Sequence, residues 1–427
     1  PTEFLGYVHD AAEATVVALV VDDERVDAAA EGAAVQIAFD RTPCYPEGGG
    51  QVGDAAKVTW TTTDGARGAA LVAATAKGPQ GLVVHRGHVA RGTLRVGDRV
   101  QVVVDPARRE TQKHHTATHL LHAALRQVLG THVAQAGSLV TAERLRFDVS
   151  HGAAITADEL RAVEAHVNGW VQADLPVTAR TVSIDEARAA GAMMLFGEKY
   201  GKEVRLVSVG GAERDAVSLE LCGGTHVARS GAIGLVAITA EEAAASGVRR
   251  IEAVAGRAAL AHVRALGDAV AHAGRALGAK PDELVARIEK LQTDLRAAQR
   301  ETAQLRDKLA AAQTGAAATT EVREAGGVRY ATAKLDGLDA TALRNAADAL
   351  LQRSGADLVA VGSGSMLVVK ASEAARTRGV HAGKVIAVLA SAGGGRGGGR
   401  PDLAQAGVRD EAGLADALAA LEGALAA

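Results

Sequence analysis

Two distant stretches set the strongest condition on how this chain folds: HTATH, His115 to His119, and CGGTH, Cys222 to His226. On a helix, residues four apart project from one face, so His115 and His119 can reach a single ion. The second stretch adds a thiolate and a third imidazole from a Gly-Gly turn, where missing Cβ atoms let the backbone fold tightly. Three nitrogens and one sulfur suit tetrahedral Zn²⁺. Alone, an H-x-x-x-H on a helix is more often a pair of surface histidines, and the bland alternative for both stretches is a buried structural thiol beside unrelated histidines. Together they favour zinc, because one of only two cysteines stands four residues before a histidine. His114, His122 and His132 lie close by, and spacing alone does not exclude them.

The surrounding periodicities predict a multidomain α+β chain. Residues 1–105 read as short β-branched strands between Gly, Asp and polar turns, a β-barrel-like domain. Within it, RTPCYPEGGGQVGD carries Gly49 and Gly50, which permit positive φ and close approach of N–H groups to a ligand. A plain glycine-rich hairpin fits the same residues. Residues 106–256 read as α+β, with the histidine pair on a helix whose apolar face is Leu120, Leu121, Ala124, Leu125 and Leu129. Gly130 is the expected stop.

Residues 257–316 differ in kind. Leu284, Ile288, Leu291, Leu295, Ala298, Thr302, Leu305 and Leu309 alternate spacings of four and three, a heptad seam. Leu260, Val263, Leu266, Val270 and Leu277 precede it as an antiparallel mate, with Gly278 and Pro281 as stop and restart. The expected arm is about 40 Å long at ~1.5 Å per residue, and its seam allows a homodimer. After the linker TGAAATT, residues 317–427 alternate strand and helix, an α/β domain. Its SAGGGRGGGRPDL segment, with Arg396 and Arg400, suits either a phosphate nest or a flexible loop.

A net charge of −3, from 47 basic and 50 acidic side chains, means that any nucleic acid must be held by a local basic patch. Aromatic side chains are too few to stack a long single strand, which leaves duplex shape or one terminal nucleotide as targets. No apolar run approaches the ~18 residues of a membrane span, and two cysteines cannot make a disulfide framework. A cytoplasmic protein with no membrane attachment is expected.

The series TPCYPEGGGQVGD, HTATHLLHAAL, QAGSLV, RFDVSH, LFGEKYG, CGGTHV, RIEAVAG and GGGRGGGRPDLAQ resembles alanyl-tRNA synthetase, from its editing domain to its C-terminal tRNA-binding domain. The long form of the free-standing alanyl-tRNA editing proteins shares this architecture; TEFLGY and VGD are more similar to the synthetase, PEGGGQ to the free-standing form. The resemblance implies hydrolysis of mischarged Ser-tRNA(Ala) and Gly-tRNA(Ala), without amino-acid activation in this chain. It implies zinc on His115, His119, Cys222 and His226. Thr42 would meet the hydroxyl of a mischarged serine, and Gln135, Gly137 and Ser138 would line the aminoacyl pocket. Arg396 and Arg400 would grip tRNA near its elbow, and the C-terminal domain is a second route to a homodimer. Cys44 and His114 depart from the usual aromatic residue and Asn. Cys44 would widen the pocket; His114 would perturb or mimic a ligand. The alternative expectation is a zinc-stabilised tRNA-binding module without catalysis.

Overall fold

The computed structural model describes every residue except 63–64, 195–200, 212–214, 317–320 and 427. The LFGEKYG motif therefore falls, at 195–200, outside the described residues, as does the end of the TGAAATT linker. The chain divides into two compact units, Pro1–His272 and Ala273–Ala427. The junction expected near residue 105 lies inside the first.

Alternating burial builds the first strands: β1 (Ala11–Val21), β2 (Ala34–Phe39), β3 (Ala56–Thr61), β4 (Arg67–Lys77), β5 (Val83–Arg91) and β6 (Arg99–Val104). In β3, Ala56, Val58 and Trp60 are buried while Lys57 and Thr61 face water. The order is β6-β3-β4-β5-β2-β1, and β1 pairs back onto β6, so six antiparallel strands close a barrel and leave no long free edge. Leu19, Ile37, Phe39, Leu94 and Val102 fill it. One end of its interior is polar, with Thr42, Asp54, Thr75 and His85 all buried.

Helix α1 (Arg108–Leu129) leaves the barrel through Arg108, which is 3% exposed and donates to the carbonyls of Gly6 and Pro43 and to the Asp54 carboxylate. Removing either charge of that pair would strand the other in the interior. Gly130, at φ 116°, ends the helix where the sequence predicts. Four strands, β7 (Gln135–Val140), β8 (Leu145–Ser150), β12 (Val236–Ala245) and β13 (Val248–Ala255), form an antiparallel sheet in the order β7-β8-β13-β12; β9 (Val177–Ser183), β10 (Glu203–Val209) and β11 (Ser218–Leu221) form a second. Helix α2 (Ala157–Gln172) opens with a reciprocal cap between Thr156 and Glu159. Leu120, Leu121 and Leu125 of α1 pack on Phe147, Val149, Val163, Val167 and Ile251. That core fixes the rotation of α1 and hence the face on which its histidines project.

Helix α3 (Gly256–Leu277) crosses from the first unit into the second, and α4 (Leu284–Ala316) belongs to the second. Gly278 at φ 60° and the Pro281 turn separate them as predicted. The apolar seam side chains are exposed on each helix, Leu260, Val263, Leu266 and Val270 on α3 and Ile288, Leu291, Leu295, Leu305 and Leu309 on α4.

The second unit also holds a six-stranded sheet, in which the edge strand Arg323–Ala325 is followed by β14 (Val328–Lys334), β15 (Leu358–Ser363), β16 (Met366–Ala371), β18 (Leu403–Gly407) and β17 (Arg396–Gly399). Helix α5 (Ala340–Ser354) covers one face through Leu343 and Leu350, and α6 (Ala382–Ala392) the other through Ile386 and Leu389. This is the expected α/β layering. The glycine-rich segment is not a loop throughout: Arg396–Gly399 is an edge strand antiparallel to β18. A Cβ on Gly397 or Gly399 would lie 2.2 or 2.7 Å from the Cβ of Ala406 or Ala404. Among the described residues, no helix is long and apolar enough to cross a membrane.

Candidate metal centre

The two sequence stretches converge. His115 and His119 on α1 and Cys222 and His226 beyond β11 bring one ligand atom each to within 4.8 Å of one another. Cys222 Sγ stands 3.4 Å from His115 Nε2 and 3.3 Å from His226 Nε2. A tetrahedron built on ordinary Zn–S and Zn–N bonds has S···N edges of about 3.5 Å. The donor set and its spacing therefore fit Zn²⁺.

The far nitrogen of every imidazole also faces a polar group, and two of the three make hydrogen bonds. His115 Nδ1 lies 2.7 Å from Gln51 Oε1, so its N–H donates there and Nε2 is left with its lone pair. His226 Nδ1 lies 3.2 Å from the Thr116 hydroxyl, whose own proton goes to the Gln112 carbonyl. His119 Nδ1 faces Glu220 Oε2 at 3.5 Å. Two hydrogen-bonding partners and one carboxylate thus stand behind the three imidazoles, as outer partners do behind metal-ligating histidines.

Electrostatics follow from this packing. Burial works against the Cys222 thiolate, but the neighbouring His115 and His226 outweigh it and hold the thiol well below its ordinary range. Burial, together with the field of His115, presses His226 down to about 3, so it is neutral. Burial opposes a charge on Glu220 too, yet His119, His122 and Ser218 hold it down at about 2. In return Glu220 raises His119 to about 9 against the cost of burial. Thiolate and neutral His226 are ready for a metal; His119 must give up a proton on binding.

Beside the cluster lies an open cavity of 160 Å³, lined by His122, Arg126, Gln135, Met193, Glu220 and Leu221 among others. A β-bulge between Gln135 and Gly137 sets the Gln135 position at its wall. The Gly48–Gln51 turn docks on the same strand: the Gly50 carbonyl accepts from Val140 N–H at 2.7 Å, and a Cβ on Gly50 would lie 2.7 Å from the Ser138 carbonyl oxygen. Gly49 and Gly50, at φ 59° and 82°, make that close approach possible.

Thr42 lies elsewhere. It is 0% exposed in the barrel interior, its hydroxyl 2.7 Å from His85 Nε2 and accepting from Cys44 N–H at 3.1 Å. Burial keeps His85 near 4, hence neutral, and its Nδ1–H donates to the Ile37 carbonyl at 3.1 Å, so Nε2 accepts the Thr42 proton. Thr42 is a satisfied core hydroxyl, not a wall of the cavity. Cys44 is likewise sealed, its thiol pushed to about 12 by burial, and does not widen the cavity. His114 is no ligand mimic: Nδ1 donates to the Glu110 carbonyl and Nε2 accepts from Ala255 N–H, each at 2.9 Å. His132 pairs with His151 at 3.0 Å.

Sequence reasoning passed over Glu220 and set His122 aside as a decoy. Both carry a periodic signal: Glu220 stands two before Cys222 on a strand, and His122 three beyond His119 on a helix. In the second unit, Arg396 borders a 260 Å³ cavity with Leu343, Met366, Val368 and Ala406, while Arg400 pairs with Asp402 at 3.3 Å.

Residues 1–108 match the family profile described as tRNA synthetases class II (A), 204–252 that of the threonyl and alanyl tRNA synthetase second additional domain, and 327–427 the DHHA1 domain. The chain is 49% identical over 422 residues to alanine–tRNA ligase of Deinococcus radiodurans, covering 98% of this chain and 47% of that protein. It is 47% identical over 421 residues to the Thermus thermophilus ligase, again 98% and 47%. A solved structure of the C-Ala domain from Aquifex aeolicus alanyl-tRNA synthetase is 29% identical, covering 25% of this chain and 99% of that one, with a TM-score of 0.23. The chain spans about half the length of the curated relatives it matches.

Proposed function

Because the chain belongs to the alanine–tRNA ligase family, we propose that it hydrolyses the ester of mischarged alanine tRNA, with Ser-tRNA(Ala) and Gly-tRNA(Ala) as substrates. The observation that carries this reading is the convergence of three imidazoles and a thiolate, with Glu220, which faces His119, and Gln135 both in the wall of an adjoining open cavity.

His115, His119, Cys222 and His226 would hold Zn²⁺, whose positive charge would help orient oxygen groups of the bound 3′ end. Four protein ligands complete the tetrahedron of a structural site, so orientation of the substrate fits better than activation of water. The chain's own residues do the rest. The Gly49–Gly50 turn, docked on the strand that carries Gly137 and Ser138, would offer an aminoacyl group backbone with little side chain in the way. Gln135 offers both a donor and an acceptor to that group. Water then splits the ester into free amino acid and the tRNA 3′ hydroxyl. Arg396, exposed on the edge strand of the second unit, supplies a cation for tRNA phosphates, and Arg400, although tied to Asp402, remains 75% exposed beside it.

The closed four-ligand set also favours a second reading, a zinc-stabilised tRNA-binding module without hydrolysis. Deacylation of Ser-, Gly- and Ala-tRNA(Ala) by the purified chain, with and without a chelator, separates the two. Hydrolysis of the seryl and glycyl esters, slow for alanyl and lost with the metal, is the expected result. Tight tRNA binding with all three esters intact would leave the binding module.

A further inference from the structure

The cavity wall contains a polar group that neither the metal cluster nor the binding of the tRNA body uses. His122 is 5% exposed and lines the 160 Å³ cavity, and among the described residues neither of its ring nitrogens has a hydrogen-bond partner. Buried polar atoms are ordinarily paired, and an orphan beside an open space marks where a ligand group belongs.

We propose that His122 is a specificity-determining residue that reads the side-chain hydroxyl of a seryl ester bound in this cavity; the proposal rests on the hydrolytic reading above. The ring is held on two sides, its Nδ1 facing Glu220 Oε1 at 3.4 Å and its plane 5.2 Å from the Phe147 ring. Glu220 is itself anchored by the Ser218 hydroxyl at 2.8 Å. Nδ1 is the ring nitrogen nearer the carboxylate, which leaves Nε2 for a bound group, and a hydroxyl, able to donate or accept, is a natural complement. Gln135 stands on the same wall, and Met193 and Leu221 bound the space with apolar surface. A volume of 160 Å³ is that of about five waters, enough for a small hydroxylated aminoacyl group.

The chemistry discriminates in the required direction. A seryl hydroxyl gives His122 Nε2 the partner it lacks, whereas an alanyl methyl of nearly the same size would leave that nitrogen unpaired. Sites built to bond a hydroxyl reject the analogue lacking it far more strongly than apolar pockets reject by size. A glycyl ester makes no use of His122, and this supplies the test.

The zinc-loaded chain and its His122→Phe and His122→Gln variants are compared in single-turnover deacylation of Ser-tRNA(Ala) and Gly-tRNA(Ala), with bound zinc measured for each. In His122→Phe the ratio of seryl to glycyl rate constants falls roughly tenfold or more. It recovers at least in part in His122→Gln, whose amide lies near the former Nε2. If His122 only braces Glu220 behind His119, both rates fall together and the ratio stays at its wild-type value, which overturns the proposal. Should His122→Phe lose zinc, the ratio in His122→Gln decides in the same sense. Wild-type protein that hydrolyses neither ester refutes the hydrolytic reading itself, and is distinguishable from wild-type activity with an unchanged ratio.

Discussion

Gln51 is the residue on which the metal centre and the barrel both depend, and replacing it with leucine gives a sharp test. It is 0% exposed; its Oε1 accepts from His115 Nδ1–H at 2.7 Å and from Thr225 N–H at 2.9 Å, while its Nε2 donates to the Thr225 hydroxyl at 3.0 Å. Leucine preserves the volume and removes every one of these contacts. Each orphaned buried donor costs about 1–3 kcal/mol. Loss of the acceptor behind His115 is expected to weaken metal binding about 10–100-fold, or about 1.4–2.7 kcal/mol. Competition for Zn²⁺ against a chromophoric chelator measures this, with circular dichroism confirming that the variant is folded. Gln51→Glu keeps an acceptor at the same place and should hold its affinity within a few-fold. A folded Gln51→Leu protein that binds zinc within about threefold of wild type would refute the account of how His115 is aimed.

Gly224→Ala is expected to lower bound metal at least as far, because its Cβ would lie 2.0 Å from His115 Cε1 and 2.8 Å from Gln51 Oε1; full zinc stoichiometry in purified protein would show that the turn can yield. Acidification should weaken the barrel through His85, whose folded pKa is lowered from 6.5 to about 4 by burial. Between those values the unfolded chain binds the proton and the folded one does not, so stability falls as pH falls, by on the order of 3 kcal/mol. Urea unfolding of wild type and His85→Gln across that range should show a shallower pH slope in the variant; identical slopes would count against it. Arg396→Ala is expected to weaken tRNA binding and to reduce the slope of log K against log salt by about one, while leaving the seryl-to-glycyl ratio unchanged; an unaltered salt slope would remove Arg396 from the interface.

What could be read in advance follows from how local its cause is. The histidine pair was legible because helical spacing and scarce residue types suffice to define it, and the barrel because period-two burial persists over six-residue strands such as β3. Thr42 was not legible. It sits on the two-residue strand Arg41–Thr42, too short for any periodicity to say that it points inward to His85. The glycines of β17 misled for a related reason: a run of glycine is commonest in loops, yet Gly397 and Gly399 are small because Ala406 and Ala404 of the next strand press against them. The outer partners of the ligands, Gln51 and Glu220, are set by tertiary approach, which no single stretch encodes.

Those partners explain why the metal cluster depends on the barrel at all. Gln51 comes from the barrel, Thr116 from α1 and Glu220 from β11, so each imidazole meets a polar group from a different part of the first unit. The Cys222–His226 turn is gripped further by Arg205, which donates to the carbonyls of Cys222 and Gly224 at 2.9 Å each. Arg205 in turn stacks 4.0 Å over the ring of Tyr7, whose hydroxyl donates to the Gly223 carbonyl at 2.7 Å. The N-terminal segment therefore closes over the same turn that the barrel loop supports from His115. A ligand set assembled this way exists only when barrel, helix and sheet are all in place. Binding of the ion then stabilises the junction between them, because free energy gained at the site is lost if any of the three moves away.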